Sequence, residues 1–261
     1  MLIVLSPAKA MDFSAPEAPV PVTTPELAGD ITELAAVTRK LTVAQIKSLM
    51  SLSDNLATLN RARFQAFDPG LEDGLQAAFA FNGDVYAGLK ARELDRPALD
   101  YAQTHLRILS GLYGVLRPLD AIQAYRLEMG TSLKTPRGKS LYAFWGDRLA
   151  RSLKAASESH EDPTLINAAS QEYFGAVDQT ALGLPVINLR FLEEKDGTAR
   201  ILSFFAKRAR GRLARFAIDH RITRAADLKG FDYDGYRFQA GASTDTDWVF
   251  SRPQPPPPSK K

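Results

Sequence analysis

Short apolar runs alternate with longer segments of helical spacing along the chain, a pattern that predicts a mixed α and β protein. Three runs are predicted to be buried strands, because each is short, apolar and bounded by polar or turn-forming residues: 2–5, 105–110 and 165–168. The first run ends at Ser6-Pro7, where proline cannot continue a hydrogen-bonded ladder. The mixture predicts a single α+β domain in which helices surround a mixed β-sheet.

Two β-hairpins are predicted in the last third of the chain. Apolar runs at 185–192 and 198–205 flank the turn signal KDG at 195–197. Alternating residues at 236–238 and 248–250 predict a final hairpin. The second strand of the first hairpin leads directly into a basic segment, so we expect that strand to position the segment.

Apolar positions at helical spacing predict several helices before and between these strands. The predicted helices cover residues 26–40, 42–52, 56–66, 71–79, 97–103 and 141–156. The second begins with Thr42 and Gln45, a capping box in which each side chain accepts a hydrogen bond from the backbone of the other residue. The last contains FWGD at 144–147, where Asp147 is interpreted as a salt-bridge or cap residue rather than a catalytic base. Asp147 is also counted among the polar residues that could line a cleft.

Ser53, Asp54 and Asn55 separate the second and third predicted helices. Helix, tight turn and helix together resemble a helix-hairpin-helix, a module that presents backbone N–H groups to DNA phosphate. The usual glycines are missing from this turn, and Asn55 is the residue expected to take a left-handed conformation there. The alternative is an ordinary helical corner that packs through apolar side chains. Those side chains are Leu49, Leu52, Leu56, Leu59 and Phe64.

Composition limits the kinds of site that the chain can build. The 261 residues are 45% hydrophobic and 24% charged, which is enough for a substantial core, and they include no cysteine. A disulfide framework, a thiolate metal site and a redox thiol are therefore excluded. His105, His160 and His220 are too widely spaced for a histidine metal site, so neither a metal nor a cofactor is predicted. Residues 1–252 are expected to form the domain and the proline-rich residues 253–261 a disordered tail.

No apolar run approaches the roughly 20 residues that cross a bilayer, and the MLIVL start lacks the features of a signal peptide. The protein is therefore expected to be cytoplasmic and to have no membrane partner. Its net charge is only +3, so the overall charge says little about partners. The sequence leaves the oligomeric state open.

Positive charge is concentrated in residues 203–222. Between residues 200 and 224, eight Lys or Arg and one Asp give a net charge of +7. The cations at the centre are Lys207, Arg208, Arg210, Arg212 and Arg215. They alternate with apolar residues that can anchor the segment to a core, which is typical of a surface for nucleic acid or a phosphorylated ligand. Gly211 interrupts the segment and predicts a kinked helix or a late helix start.

A loop-rich segment at 111–130 gathers polar side chains between its glycines. Tyr113, Arg117, Arg126 and Glu128 could point into a cleft, where arginine and tyrosine would recognise phosphate or carboxylate. The alternative is an ordinary network of ion pairs among the charged members of this group.

Polar residues also gather where predicted strands end. These residues are Ser6, Lys9, Ser170, Tyr173 and Lys207. With Arg126 and Glu128 they could line one pocket of an enzyme that acts on a nucleotide or another phosphorylated small molecule, the cations holding phosphate and a carboxylate moving protons. No P-loop or dinucleotide fingerprint is present, and a Ser6–Lys9 nucleophile pair is a weak signal. The sequence leaves open whether these residues converge and whether there is a catalytic activity.

Several ordered motifs occur together along the chain. They are SPAK at 6–9, HLRILSGLYGVLRPLD at 105–120, YRLEMG at 125–130, FWGD at 144–147 and FAKRARG at 205–211. This set resembles the YaaA family of bacterial peroxide-stress proteins from Met1 to about Phe250, and only the proline-rich tail is peculiar to this chain. Ala10-Met11-Asp12 after SPAK is a mild variation that leaves Ser6 and Lys9 in place.

The resemblance implies a cytosolic protein that responds to hydrogen peroxide and helps to limit unincorporated iron, and hence Fenton damage to DNA. It also implies a YaaA-type fold of unusual topology with a basic cleft, and DNA binding assisted by a helix-hairpin-helix-like element. Direct iron chelation fits the residues poorly, because there is no cysteine and no clustered carboxylate motif. We therefore expect any effect on iron to be indirect.

Three hypotheses follow for the partner. The leading one is DNA, bound with weak sequence preference because arginine and lysine contact phosphates. The residues expected to bind DNA or phosphate are Lys9, Arg126, Lys207, Arg208, Arg210, Arg212 and Arg215. The second is the enzyme for a phosphorylated small molecule described above. The third is an acidic protein or RNA, since charge alone does not distinguish these polyanions.

Overall fold

A mixed sheet of eight strands runs through the centre of the computed structural model, which describes residues 1–255. The strands are β1 (Leu2–Leu5), β2 (Ala10–Met11), β3 (Leu75–Gln76), β4 (Phe81–Asn82), β5 (Leu106–Ser110), β6 (Gly114–Leu116), β7 (Ala121–Ile122), β8 (Leu165–Ala168), β9 (Val186–Lys195), β10 (Thr198–Arg200), β11 (Arg237–Phe238) and β12 (Asp247–Pro253). The helices are α1 (Ala28–Thr38), α2 (Val43–Met50), α3 (Asp54–Ala66), α4 (Ala77–Ala80), α5 (Asp84–Leu89), α6 (Arg96–His105), α7 (Leu141–Trp145), α8 (Arg148–Ser157), α9 (Gln171–Phe174), α10 (Gln179–Leu182) and α11 (Ser203–Asp219).

The sheet order is β11-β12-β9-β8-β1-β5-β6, and β10 pairs with β9 outside this path. The five strands from β12 to β5 are parallel, whereas β6, β10 and β11 run antiparallel to their neighbours. All four residues of β1 are fully buried, as expected for a central parallel strand that is covered on both faces. The predicted α+β class is confirmed at this level, and so are the predicted strands β1, β5 and β8.

Two of the predicted helices are wrong in their extent. Residues 71–79 were expected to be helical, but Leu71 has a positive φ of 56° and is followed by β3, so only α4 is helical there. The helix predicted over 141–156 is divided into α7 and α8, because Gly146 has φ of 51° and ends the first of them. An L-residue strongly disfavours that conformation, which makes Gly146 the physical cause of the break.

The corner between α2 and α3 differs from the predicted turn. The capping box at Thr42 is confirmed, but the left-handed residue is Ser51, with φ of 51°. Asp54 and Asn55 already belong to α3, and Ser53 caps that helix by accepting from the backbone N–H of Leu56. The prediction that Asn55 forms the left-handed turn is therefore wrong.

Side chains around this corner also depart from the predicted packing. Leu52 and Phe64 are buried as expected, whereas Leu56 and Leu59 are 40% and 45% exposed. Asp54 forms a salt bridge of 2.7 Å with Lys47. Asp54 places a negative charge in the first turn of α3, and this charge disfavours a phosphate at that helix N-terminus. The likeness of the corner to a helix-hairpin-helix stays a prediction.

The hairpin that leads to the basic segment forms around Asp196 and Gly197, whose φ angles of 51° and 74° match a two-residue turn. Its second strand, β10, ends at Arg200, so the strand predicted over 198–205 is too long. Residues from Ser203 onward belong to α11, which continues to Asp219 without a break. The predicted kink at Gly211 is therefore wrong.

Gly211 has a packing role instead. A Cβ atom at Gly211 would lie 1.8 Å from the carbonyl oxygen of Val85 in α5, and one at Gly88 would lie 2.2 Å from the carbonyl oxygen of Arg208. The two glycines therefore let α5 and α11 approach until backbone touches backbone. This contact fixes the position of the basic helix relative to α5.

The final hairpin of β11 and β12 is confirmed, and β12 is longer than predicted. Pro253, which was assigned to the disordered tail, is the last residue of β12, and the Gln254 N–H donates to the Glu194 carbonyl at 2.8 Å. The rest of the predicted tail, residues 256–261, lies outside the described residues. Within the described part of the chain, no helix combines the length and apolar content that crossing a bilayer requires.

Candidate functional site

The carboxyl ends of β1 and β8 open into a cavity of about 470 Å³. These strands are parallel neighbours, with Leu5 opposite Ala168, so the segments that follow them leave the sheet side by side. The backbone N–H of Ser170 donates to Ser6 Oγ at 2.8 Å and ties the two segments together. The predicted strand-end residues Ser6 and Ser170 therefore meet at one edge of the sheet. We refer to this space as the strand-end cavity.

Two further elements complete its walls. The short pairing of β2 with β4 places Ala10 opposite Asn82 and so holds the segment after β1 against the start of α5. Asp84 and Tyr86 of α5 line that side. Lys207 and Arg210 of α11, the helix that packs against α5, line the same cavity, because residues three apart share one face of a helix.

Arg210 is the most informative side chain in the strand-end cavity. It is half-buried, and its Nε is inaccessible to solvent and has no hydrogen-bond partner. Burial lowers the pKa of the Arg210 guanidinium, but arginine stays charged in proteins at any ordinary pH. Within residues 1–255, neither Arg210 nor Lys207 forms a salt bridge. A half-buried cation without a salt-bridge partner has lost part of its hydration, and a bound anion would compensate for that loss.

A small recess beside the strand-end cavity is lined by Lys9, Arg126, Glu128 and Tyr173. Glu128 lies 3.1 Å from Lys9 Nζ and accepts from Arg126 Nη2 at 3.1 Å, so one carboxylate offsets two cations. Lys9 and Tyr173 line both spaces, whereas Arg126 lines only the recess and Lys207 only the strand-end cavity. Lys9, Tyr173, Arg126 and Lys207 therefore border two adjoining spaces, the recess and the strand-end cavity.

The region carries charges of both signs. Besides Glu128 in the recess, Asp84 and Glu172 line the strand-end cavity. Glu172 accepts from the backbone N–H of Gly130 at 3.0 Å, which occupies one of its oxygens. Asp84 forms no salt bridge within the described residues and is the carboxylate best placed to exchange a proton with a ligand.

A layer of tyrosines supports this region. Burial raises the pKa of Tyr86, Tyr125 and Tyr173, so all three phenols stay protonated at neutral pH. The Tyr86 hydroxyl donates to the Ser6 carbonyl at 3.0 Å, and the Tyr125 hydroxyl lies 2.6 Å from Ser110 Oγ. The Tyr86 bond holds the segment after β1, and the Tyr125 bond fixes the orientation of that phenol.

The other predicted cations of α11 lie elsewhere. Arg208 faces a surface recess that includes Phe204 and Arg252. Arg212 lies over the ring of Tyr233 at 4.4 Å. Arg215 Nε donates to Asp219 at 2.8 Å. Positions 208, 212 and 215 are four and three residues apart and share one helix face, which is turned away from the strand-end cavity.

Several other predicted site residues also lie outside the strand-end cavity. Arg117 donates to Asp120 at 2.9 Å and to the Thr24 carbonyl at 2.7 Å, so the ordinary ion-pair interpretation holds for it. Tyr113 is fully buried, and its hydroxyl accepts from the Gln123 backbone N–H at 2.8 Å. The remaining ones have local roles: Asp147 pairs with Arg151, Ser53 and Asp54 begin α3, and Asn55 lies in its first turn.

Sequence reasoning missed the residues that α5 contributes to the cavity. Asp84 and Tyr86 were not identified as candidates, whereas Tyr173 of α9 was. The usable signal was a polar break directly after the apolar run at 77–81. The position of α5 beside α11 depends on contacts between segments more than 120 residues apart, such as Val85 and Gly211, and no local sequence pattern encodes such contacts. Across residues 1–255, no three His, Cys, Asp or Glu side chains are arranged to hold a metal ion.

Comparison with known proteins gives consistent matches over nearly the whole chain. A family model described as "Peroxide stress protein YaaA" matches residues 1–242. A UPF0246 protein of Caulobacter vibrioides is 68% identical over 255 residues, which cover 98% of this chain and 100% of the relative. UPF0246 proteins of Phenylobacterium zucineum and Maricaulis maris are 67% and 55% identical and cover 99% and 100% of this chain, and 97% and 99% of their own lengths.

The family match includes every segment that borders the strand-end cavity, from Ser6 to Arg210. The relatives align from end to end, so the chain and these relatives share one architecture of the same length. The family description refers to peroxide stress and names no ligand. This chain belongs to the YaaA family of peroxide-stress proteins.

Proposed function

We propose that this protein acts in the peroxide-stress response by binding DNA, with a backbone phosphate held in the strand-end cavity by Lys207 and Arg210. The observation that carries the proposal is the half-buried guanidinium of Arg210, which forms no salt bridge with the described residues and has no hydrogen-bond partner at Nε. Lys207 is exposed at the mouth of the cavity, where it can meet a phosphate first. Lys9 borders the same space but shares its charge with Glu128.

The geometry narrows the expected contact with DNA. Seven cations were candidates from the sequence, but Arg212 and Arg215 pair with carboxylates and Arg208 faces a different recess. Arg126 shares Glu128 with Lys9. Two or three phosphate contacts are left, and each contributes about 0.9 to the slope of log affinity against log salt. We therefore expect a salt slope of about −2 to −3 and little sequence preference.

Any effect on iron is then indirect. The chain has no cysteine, and its carboxylates near the cavity are engaged with cations or backbone, apart from Asp84. DNA that is covered by the protein is shielded from Fenton chemistry, which links DNA binding to resistance to peroxide and iron without an iron site on the protein.

Fluorescence anisotropy tests this proposal. A labelled duplex is titrated between about 50 and 200 mM salt with wild-type protein, with the Lys207→Met/Arg210→Met double variant and with the control Arg212→Met/Arg215→Met. Both variants lose two positive charges from the same helix. We expect the first to bind at least about tenfold more weakly with a flatter salt slope, and the control to resemble wild type. Equal losses from both variants would show that the strand-end cavity is not the contact.

A second candidate function is catalysis or binding of a phosphorylated small molecule in the same cavity. It is favoured by Asp84, a carboxylate without a salt bridge within the described residues, which lines the same cavity as Lys207 and Arg210. Such a pairing could hold phosphate and move a proton. A thermal-shift screen with inorganic phosphate, sugar phosphates and nucleotides tests it. A compound that raises the melting temperature and displaces DNA would favour this function over DNA binding.

A further inference from the structure

A second cavity of about 580 Å³ lies on the other side of Arg210. Arg210 lines both spaces, and its side chain is the wall that they share. The second cavity is lined by amide side chains, which include Asn167 and Asn188, together with apolar surface from Phe174 and Leu189. Nothing in the proposed DNA contact uses this space. We refer to it as the amide cavity.

The amides on its floor are held in fixed orientations. Asn167 and Asn188 lie directly opposite each other on β8 and β9, and Asn167 Nδ2 donates to Asn188 Oδ1 at 2.9 Å. Asn167 Oδ1 accepts from the Ala169 backbone N–H at 3.1 Å. Two asparagines facing one another inside parallel strands replace the apolar pair that such strands normally carry. Gln171 and Gln179 add two more amides at the rim.

This lining suits a planar heterocycle. An amide oxygen can accept two hydrogen bonds and an amide nitrogen can donate two, so Asn167 keeps one donor and one acceptor beside its bonds to Asn188 and Ala169. Asn188 Nδ2 has a long contact of 3.5 Å with the Thr246 carbonyl. Such donor and acceptor positions match the hydrogen-bonding edges of nucleobases. Phe174, Val177 and Leu189 supply apolar surface for the faces of such a ring. Asp247, at the start of β12, adds a carboxylate that can accept from an exocyclic amino group.

We propose that the two cavities form one site for a nucleotide, with the phosphate beside Lys207 and Arg210 and the base in the amide cavity. The proposal rests on phosphate recognition in the strand-end cavity, and it adds the base as the second determinant. Arg210 joins the two parts, because its guanidinium can donate to phosphate on one side while its other edge borders the base.

The nucleotide can come from two sources, a free nucleotide or an unpaired nucleotide of a DNA strand. A base within a duplex is stacked and paired, and it must be extruded before it can enter a pocket. Single-stranded DNA or a strand end is therefore expected to bind better than a blunt duplex of the same length. Bases in single strands are accessible without the cost of unpairing.

Isothermal titration calorimetry tests the proposal with ribose 5-phosphate and the four nucleoside 5′-monophosphates as probes. We expect at least one nucleotide to bind about tenfold or more tightly than ribose 5-phosphate, because one well-placed amide pairing gives that discrimination. Asn188→Leu should remove this advantage and leave the affinity for ribose 5-phosphate unchanged. Gln171→Leu, at an exposed position, is a second variant in case the first one does not fold.

The outcomes separate the two levels of the proposal. Equal affinity for ribose 5-phosphate and all four nucleotides would overturn the base subsite and leave phosphate recognition intact. Loss of binding to every phosphate probe and to DNA would overturn the proposed function itself. Competition arms with a single-stranded oligonucleotide and with the matching duplex identify the source. Displacement of the nucleotide by the single strand at a lower concentration than by the duplex assigns an unpaired DNA nucleotide, and equal displacement by both assigns a free nucleotide. Displacement by neither would overturn DNA binding in the strand-end cavity.

Discussion

The two cationic faces of α11 differ in what surrounds them. Arg212 lies 3.4 Å from Asp234 and over the ring of Tyr233, so its charge is compensated even though its Nε makes no hydrogen bond. Arg210, only two residues away, also lacks a bond at Nε and forms no salt bridge or cation–π contact with the described residues. Arg208 has no salt bridge with a described residue either, but it is exposed and faces a surface recess. Partial burial without a salt-bridge partner, and not the number of cations, therefore distinguishes Arg210.

Arginines that have salt-bridge partners are expected to stabilise the fold. Among them, Arg117 is expected to show the largest loss of stability on substitution. Its partner Asp120 is fully buried and also accepts from Thr23 Oγ1 at 2.6 Å. Arg117→Met leaves that carboxylate buried without its cation, so we expect the free energy of unfolding to fall by about 3 kcal/mol. Urea denaturation measures this loss. An unchanged urea midpoint would mean that the Asp120 carboxylate is satisfied without Arg117. A salt-bridge partner would then not indicate that an arginine stabilises the fold.

The separation of the two faces depends on the contact between α5 and α11, which Gly211→Ala tests. Alanine favours a helix over glycine by about 1 kcal/mol, but its Cβ would lie 1.8 Å from the Val85 carbonyl oxygen. Backbone atoms cannot give way without moving α5, so we expect a net loss of about 2 kcal/mol in thermal or urea unfolding.

Gly29→Ala is the matched control for that substitution. Gly29 also lies in a helix, and no atom beyond its own helical turn is within 4 Å of the position that an alanine Cβ would occupy. Alanine there should therefore stabilise the protein by about 0.5 to 1 kcal/mol. If Gly211→Ala were also stabilising, close packing would not be what holds Lys207 and Arg210 in place.

Arg210 and Arg212 can be compared directly by the same substitution to methionine. Arg210→Met removes a half-buried charge without a partner, so we expect stability to stay constant or rise by about 1 kcal/mol while DNA affinity falls. Arg212→Met loses the ion pair and the ring contact, so stability should fall by about 1 kcal/mol with affinity preserved. Thermal melts and anisotropy measure both. The same sign of stability change in both variants would contradict the comparison.

The local elements could largely be predicted from the sequence. Short apolar runs identified β1, β5 and β8 because strands at the centre of a parallel sheet are apolar on both faces. The KDG turn identified the hairpin before α11, since Asp196 and Gly197 accept positive φ. The predictions failed where glycine had more than one use: Gly211 was expected to bend a helix and instead lets a neighbouring helix approach.

The candidate site could be predicted only in part. Ser6, Lys9, Ser170 and Tyr173 were identified because polar residues that follow parallel strands collect at one edge of a sheet. The choice between Arg210 and Arg212 could not be made, since both lie in the same basic run. It depends on which face of α11 meets α5, and that is decided by contacts between distant segments.

His160 tests whether a buried group without partners always indicates a ligand. Neither of its ring nitrogens makes a hydrogen bond of acceptable geometry, and its ring lies 4.6 Å from that of His105 at an interplanar angle of 37°. The positive charge of the Met1 amino group is close to it, and His160 does not line the strand-end cavity. Burial lowers the pKa of His160 to about 4, with smaller contributions from the positive charges of Met1 and Arg107 and from His105. Unlike Arg210, this side chain avoids the cost of a buried charge by losing its proton, so it needs no anion.

This difference predicts a pH dependence. The unfolded chain binds a proton on His160 near pH 6.5, whereas the folded protein excludes it down to about pH 4. The free energy of unfolding should therefore fall as the pH drops through that window, by about 1 to 2 kcal/mol from His160. Urea unfolding at pH 7 and pH 4.5 measures the change. The His160→Phe variant should show a smaller change, and the part that is left is due to His105, because burial also lowers the pKa of His105. An identical pH dependence in the variant would mean that His160 carries a proton in the folded protein at pH 4.5. A buried cation would then be stable without a bound anion, and the reason for assigning an anion to Arg210 would be lost.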